Sequence, residues 1–225
     1  IQAEPLQEDT VKVAALACYS HCFSNTDGNG GIPGWTNWDY EVFQNIREKW
    51  NPEDLFTVKN IWFPHNDVVN SLEAQNPDLL VFTGDQVYEF KPTRAVHNEG
   101  EQTMLDYLYK WYLWGWSFGD LTKKIPTICM PDDHDVYQGN IWGMAGEKSS
   151  PGERWTDGGY TESPEFVNMV QRTQTSHMPD PYDPTPVQQG IEVYYTSMDY
   201  GGVSFAILED RKFKSSPYED ERNAQ

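Results

Sequence analysis

Hydrophobic positions in this chain fall into short runs with two different periods. Val11–Cys18 (Val-Lys-Val-Ala-Ala-Leu-Ala-Cys), Asp78–Thr83 (Asp-Leu-Leu-Val-Phe-Thr) and Pro126–Met130 are compact apolar runs, the pattern of buried strands in a parallel sheet. Asp67–Ala74, closed by Asn76-Pro77, has helical spacing, as do Trp38–Lys49 and Glu165–Thr175. Met104–Phe118 reads as a strongly aromatic helix. In it Leu105, Leu108, Tyr109, Tyr112 and Trp116 recur at helical intervals, a stripe expected to face the core.

Ile191–Asp199 and Gly202–Leu208 read as two strands meeting at Tyr200-Gly201, with proline-rich Tyr182–Gln189 extended before them. The glycine-rich stretch Asp27–Gly34 must be a loop. Its Asp27-Gly28-Asn29-Gly30 start hints at calcium, but Trp38 stands where an EF-hand needs glutamate, which favours plain turn chemistry. Tyr137–Thr161, rich in Gly, Trp and charge, looks like a long functional loop. Strands alternating with helices, then a hairpin, predict an α/β layered sheet.

Length and composition narrow the reading. The 225 residues are enough for one large domain or part of something larger, and 38% hydrophobic content with abundant aromatics supplies a core. Sixteen Lys and Arg against thirty-five Asp and Glu give a formal charge of -19. That balance argues against nucleic acid, whose phosphates are bound by clustered cations, and against anionic membranes. A small anionic substrate would be repelled unless bound cations reverse the local field. No apolar run approaches the roughly 20 residues that span a bilayer. The chain begins at Ile1 with no signal-peptide pattern, as a processed or trimmed end would. Cys18, Cys22 and Cys129 are too few for a disulfide scaffold; Cys22 and Cys129 read as structural, or as a disulfide if the protein is exported.

Candidate chemistry sits at the strand ends. Asp132-Asp133-His134-Asp135 packs three carboxylates and an imidazole into four positions, a charge problem that calls for a cation or much water. Asp85, with Tyr88 and Glu89, follows the second strand, and Cys18, with His21, ends the first. In an open parallel sheet the carboxyl ends of adjacent strands share one crevice, where ligands bind. A carboxylate at Asp85 could bridge two cations, and two cations clamp an in-line displacement. His134 could stabilise transition-state charge or protonate a leaving group, with Asp133 or Asp135 setting its tautomer. Tyr88 could present a phenolate to a hard trivalent ion such as iron. His21, His65, His97 and His177 show no partner at metal spacing and read as structural or exposed.

These motifs resemble those of the metallophosphoesterases, and among them the alkaline phosphatase D (PhoD-like) branch. Gly84-Asp85-Gln86-Val87-Tyr88-Glu89 is similar to its Gly-Asp-x-x-Tyr-Glu block and Asp132-Asp133-His134-Asp135 to its Asp-Asp-His-Asp block. Ala17-Cys18 resembles the end of its first strand, His177-Met178-Pro179 its His-Met-Pro segment, and Leu208-Glu209-Asp210-Arg211 its Leu-Asp-Thr-Arg segment. The likeness runs in order from about Val11 to Lys214. It implies an α/β/β/α layered sandwich and hydrolysis of a phosphate mono- or diester by metal-bound water. It also implies two metal ions, Fe3+ with Ca2+ or another divalent ion. By the same resemblance Cys18, Asp85 and Tyr88 would hold the trivalent ion, Asp133 the second metal, and His134 would be catalytic. Glu89, Asp132, Asp135 and Arg211 would support the site or touch substrate.

The family's placement at the cell surface, in the periplasm or outside the cell is implied in the same way, as is a small phosphorylated substrate, with no nucleic-acid partner expected. Two departures stand out. Asp180-Pro181 replaces the branch's Leu-Arg, and no later Gly-Asp-x-His block follows Arg211. Residues 1–225 are therefore expected to be the N-terminal portion of a longer catalytic domain. Two other classes are a non-catalytic or truncated module of this type, and a glycoside hydrolase using carboxylates such as Glu89 and Asp133, with Trp142 and Trp155 stacking sugars.

Overall fold

The computed structural model describes residues 3–6, 10–21, 62–89, 91–137 and 159–213. The loop Asp27–Gly34, the helix expected at Trp38–Lys49, Cys22, Trp142 and Trp155 lie outside these residues.

Three parallel strands, β1 (Val13–Leu16), β2 (Leu79–Phe82) and β3 (Thr127–Cys129), pair in the order β1-β2-β3. Leu16 sits opposite Phe82, and Phe82 opposite Cys129, so all three carboxyl ends reach the same edge in register. Alternation along β2 sorts its side chains to two faces. Leu80 and Phe82, with Cys129, pack under the helices α1 (Asn66–Gln75) and α2 (Glu101–Thr122) through Val68, Val69, Leu72, Trp114, Phe118 and Leu121. Leu79 and Val81, with Ile128 and Met130, pack instead on an antiparallel hairpin, β4 (Tyr195–Tyr200) and β5 (Val203–Leu208), through Tyr194, Met198, Phe205 and Ile207. Helices, parallel sheet and hairpin are thus successive layers, the α/β layering expected. On the hairpin's outer face Tyr195, Ser197 and Asp199 are exposed. A third helix, α3 (Pro164–Thr175), is capped by Ser163, whose hydroxyl accepts from Phe166 N. It closes a second core with Val87, Tyr107, Val136 and Tyr137, beside the strand ends.

Several expectations are corrected. The first strand is not buried along Val11–Cys18: it spans Val13–Leu16 and is half to fully exposed, because among the described residues it has a paired neighbour on one edge only. The fourth strand begins at Tyr195, while Ile191 lies buried in a bridge with Gln188. Cys129 is a buried free thiol, not a disulfide partner.

The larger correction concerns α2. Leu105, Leu108, Tyr109, Tyr112 and Trp116 all face out, and Trp116 is 63% exposed. The buried face carries Thr103, Tyr107, Lys110, Trp114, Ser117, Phe118 and Leu121. Both faces of this helix are rich in apolar residues, so periodicity gives its pitch but not its phase. The inner side also carries a lysine. Lys110 is tolerated there because its ammonium donates to Asp106 Oδ2 at 2.6 Å and lies 5.0 Å from the centre of the Tyr137 ring.

A second buried lysine follows β5. Lys212 is 3% exposed and reaches the Glu192 carbonyl at 2.9 Å, the Gln171 side chain and the Glu209 carboxylate. Burial pulls its pKa down, to about 8, against the opposing pull of Glu209 and Glu192.

Two expectations follow. Phe118→Ala should cost about 3–5 kcal/mol in urea unfolding, whereas Leu105→Gln or Tyr112→Gln should stay within about 0.5 kcal/mol. Charged Lys212 costs the folded state most below its folded pKa of about 8, and the cost fades as pH rises toward the ordinary value of 10.5. Wild type should therefore gain stability relative to Lys212→Met between those two pH values.

Candidate functional site

The parallel pairing of β1 with β2 continues past the strands themselves. Cys18 N donates to the Gly84 carbonyl at 3.2 Å and Tyr19 N to the Asp85 carbonyl at 2.8 Å, so Cys18 lies beside Asp85. Both residues sit in the left-handed region, at φ 63° and 55°, a conformation that costs a non-glycine residue energy and is tolerated where the surroundings hold it. Gly84, at φ +119°, has a plainer reason to be glycine. A Cβ there would stand 2.3 Å from Cβ of Asp132, so the loop leaving β3 passes directly against it.

What joins those two loops is the carboxylate of Asp135, which is fully buried. Oδ2 accepts from Asp85 N at 2.8 Å and from Asp132 N at 2.9 Å. Oδ1 accepts from Val87 N at 3.0 Å and from Gln174 Nε2 at 2.8 Å. One side chain thus holds the backbone on both sides of the crevice. Burial and the nearby Asp85 charge push its pKa up, to about 8, while these N–H donors pull the other way.

The candidate ligand atoms gather above this brace. Asp85 Oδ2 accepts from the Tyr88 hydroxyl at 3.0 Å and from the Cys18 thiol at 3.5 Å. Asp85 Oδ1 is buried and meets no donor among the described residues. Asp85, Asp133 and His134 each offer a ligand atom, all within 4.8 Å of one another. Burial raises the pKa of Asp85, and the neighbouring Asp133 charge adds to this while His134 opposes it. Burial and Asp85 likewise raise those of Cys18 and Tyr88. A buried carboxylate oxygen without a donor, beside a thiol, a phenol and an imidazole, fits a cation. The mixture of sulfur, phenolic and carboxylate donors differs from the all-oxygen set that magnesium takes.

His134 opens a single helical turn, His134–Val136, with its ring 4.5 Å from that of Tyr88. The carboxylate that orients its ring is not Asp133 or Asp135, the two expected from the sequence; Glu89 stands there instead, with Oε2 2.8 Å from His134 Nδ1. Asp135 points down into the backbone amides instead. Burial lowers the His134 pKa, but Glu89, Asp85 and Asp133 outweigh it and bring it up to about 9. Glu89 is 0% exposed, which removes it as a solvent-accessible acid for sugar hydrolysis.

Arg211 comes from the other layer, just beyond β5. Its Nη2 donates to Asp133 Oδ2 at 3.1 Å, and its Nε lies 3.3 Å from Asp132 Oδ1. The remaining histidines stand elsewhere. His65 and His21 face each other at 3.4 Å in an aromatic box with Tyr19 and Phe118, His97 pairs with Glu162 at 2.7 Å, and His177 is exposed with Nε2 against the Thr127 carbonyl.

Sequence reasoning missed the layer beneath. Gln86 takes the Gly84 amide on its oxygen at 3.0 Å and donates to Met130 O at 2.9 Å and Gln174 Oε1 at 2.8 Å. Gln174 in turn donates to the Tyr107 hydroxyl at 3.1 Å and to Asp135. The available signal was two glutamines, Gln171 and Gln174, on the face of α3 that carries Phe166, Val167 and Val170; polar residues in an apolar stripe need partners.

Replacing Asp135 tests the brace. Asp135→Asn exchanges an oxygen that accepts two amides for a donor, and each buried amide left unpaired costs about 1–3 kcal/mol. Thermal unfolding of Asp135→Asn and Gly84→Ala should show large losses, of about 2–5 kcal/mol for the former. An unchanged midpoint for Asp135→Asn would mean that the loops are held by something else.

No family model matches this chain, and no curated protein matches it. Among solved structures it is similar to one described as the structure of PhoD, at 17% identity and a TM-score of 0.47. That likeness covers 96% of this chain and 34% of the other, so the chain spans about a third of that protein's length.

Proposed function

We propose that this chain carries the metal-binding side of a phosphoesterase site that hydrolyses a phosphate mono- or diester. The observation that carries the reading is Asp85. Its Oδ2 gathers Cys18 and Tyr88, its buried Oδ1 lacks a donor among the described residues, and the Asp133 carboxylate lies within 4.8 Å, with the His134 imidazole equally close to serve the same crevice. The strand-end motifs of the PhoD-like branch point to the same residues. Cys18, Asp85 and Tyr88 would hold a trivalent ion such as iron, with Asp85 and Asp133 toward a second, divalent ion such as calcium. When bound, such ions lower the pKa of water and neutralise charge on phosphoryl oxygens.

The chain's own residues then have separate tasks. Glu89 fixes His134 through Nδ1, which leaves Nε2 as the nitrogen that serves the crevice. His134, paired with the buried Glu89, would donate its Nε2 proton to the departing oxygen as water adds to phosphorus and the ester P–O bond breaks. The Tyr88 ring packs against the imidazole and limits its rotation. Asp135 keeps the two loops at fixed separation, which is the positioning component of the rate.

Metal titration followed by elemental analysis, with p-nitrophenyl phosphate and bis-p-nitrophenyl phosphate as substrates, tests the reading. Asp85→Asn should lose tight iron and manganese uptake. His134→Ala should retain uptake within about tenfold and lower kcat by about 100- to 10,000-fold. Glu89→Gln should lower kcat less and shift its pH profile. Protein that takes up no ion, or an Asp85→Asn variant that binds as wild type does, would exclude the proposal.

A further inference from the structure

Arg211 poses a problem that the two-cation reading leaves open. The chain is strongly acidic, with a net charge of -19, and an anionic ester must approach a crevice lined by Asp85, Asp132 and Asp133. Lys110 and Lys212 are buried, and their ammonium groups are held on Asp106 and on Gln171, Glu192 and Glu209. Arg211 is different. Its side chain is 25% exposed, its guanidinium is at the crevice, and it spans the two carboxylates that flank the cluster.

Its backbone is firmly placed. Glu209 N donates to the Tyr194 carbonyl at 3.0 Å, and Glu209 Oε1 accepts from Arg211 N at 2.8 Å and Lys212 N at 3.0 Å. The buried Lys212 side chain and the Tyr160 hydroxyl on the Lys212 carbonyl, at 2.9 Å, pin the next residue. A well-anchored turn therefore presents a long side chain that is 25% exposed, with its Nε buried and Nη2 on Asp133.

We propose that Arg211 receives the anionic oxygens of the phosphate ester, and that it is held on Asp132 and Asp133 until a cation engages Asp133. This rests on the phosphoesterase reading above. With Asp133 fully charged, the guanidinium is already neutralised, and an anion gains little from it. A multivalent ion on Asp133 draws that charge away and weakens its hold on Nη2. Asp132, whose carboxylate forms an ion pair 3.3 Å from Nε, would then keep that side of the guanidinium near the crevice by charge alone while the other side turns to the substrate. Guanidinium has five N–H donors in a plane that matches two phosphoryl oxygens, so it can keep one carboxylate and still bind phosphate. Cation and phosphate should consequently bind in that order, each favouring the other.

Calorimetry with manganese alone, and then with inorganic phosphate, tests this on wild type, Arg211→Gln and Arg211→Lys. Chelator-treated wild type should bind phosphate weakly and manganese-loaded wild type much more tightly. Arg211→Gln should bind manganese at least as tightly as wild type, since a competing cation is gone. Its manganese-loaded form should bind phosphate about 10- to 100-fold more weakly, the worth of charge-assisted hydrogen bonds. Arg211→Lys, which keeps the charge without the fork, should fall between the two and covers the case in which Arg211→Gln does not fold. Phosphate affinity within twofold of wild type in the loaded variants would overturn the proposal. So would a tenfold loss of manganese affinity in them, because Arg211 would then only brace Asp133. A wild type that takes up no manganese would remove the phosphoesterase reading itself, and this inference with it.

Discussion

The geometry of this crevice depends on one buried carboxylate. Asp135 holds amides from both strand-end loops, Asp85 and Val87 on one side and Asp132 on the other. Acidic residues at the edge of a sheet repel one another, so nothing in their own charges would bring Asp85 and Asp133 together. Asp135 does so through backbone donors, which are indifferent to the side-chain charges above them. Gln174 secures Asp135 from α3, and Gln86 ties the loop after β2 to the same glutamine and to Met130. The crevice is therefore set by the fold's own hydrogen bonds before any cation enters, as preorganisation requires.

The charge problem posed by Asp132-Asp133-His134-Asp135 has three separate solutions. Asp135 turns inward to N–H donors, Asp132 and Asp133 turn to Arg211, and His134 carries a proton stabilised by Glu89, Asp85 and Asp133. Asp85 is the residue left without such an answer, with one oxygen buried and undonated and its own pKa pushed up chiefly by burial. A buried polar atom without a partner is costly, and Asp85 Oδ1 shares that condition with Glu89 Oε1 in the same crevice.

Much of this was legible in the sequence for a specific reason. Continuous apolar runs mark the parallel strands and their carboxyl edge, though not the exposure of the first strand, and Cys18, Asp85, Tyr88, Asp133 and His134 lie around that edge. The phase of α2 was not legible, because Tyr112 and Trp116 on one side are as apolar as Trp114 and Phe118 on the other. Only tertiary contact with Phe82 and Leu80 decides between them. The partner of His134 was also hidden. Glu89 lies 45 positions away, and adjacency favoured Asp133 and Asp135, whose side chains the tight turn sends elsewhere. Arg211 lies 78 positions from Asp133, and only the packing of the hairpin on the sheet brings them into contact.

That packing gives the second β layer a role beyond covering the sheet. Leu79, Val81 and Ile128 meet Met198, Phe205 and Ile207 across the interface, and this apolar contact fixes where β5 ends. The turn after β5 then delivers Arg211 to the crevice and buries Lys212 beside it. A shift of the hairpin by one residue would reverse which side chains face the sheet and would carry Arg211 off the carboxylates. The hydrophobic register between the two layers and the electrostatics of the crevice are thus one constraint. Apolar side chains determine where the guanidinium stands, and the guanidinium determines how much of the acidic cluster's charge remains for a cation to meet.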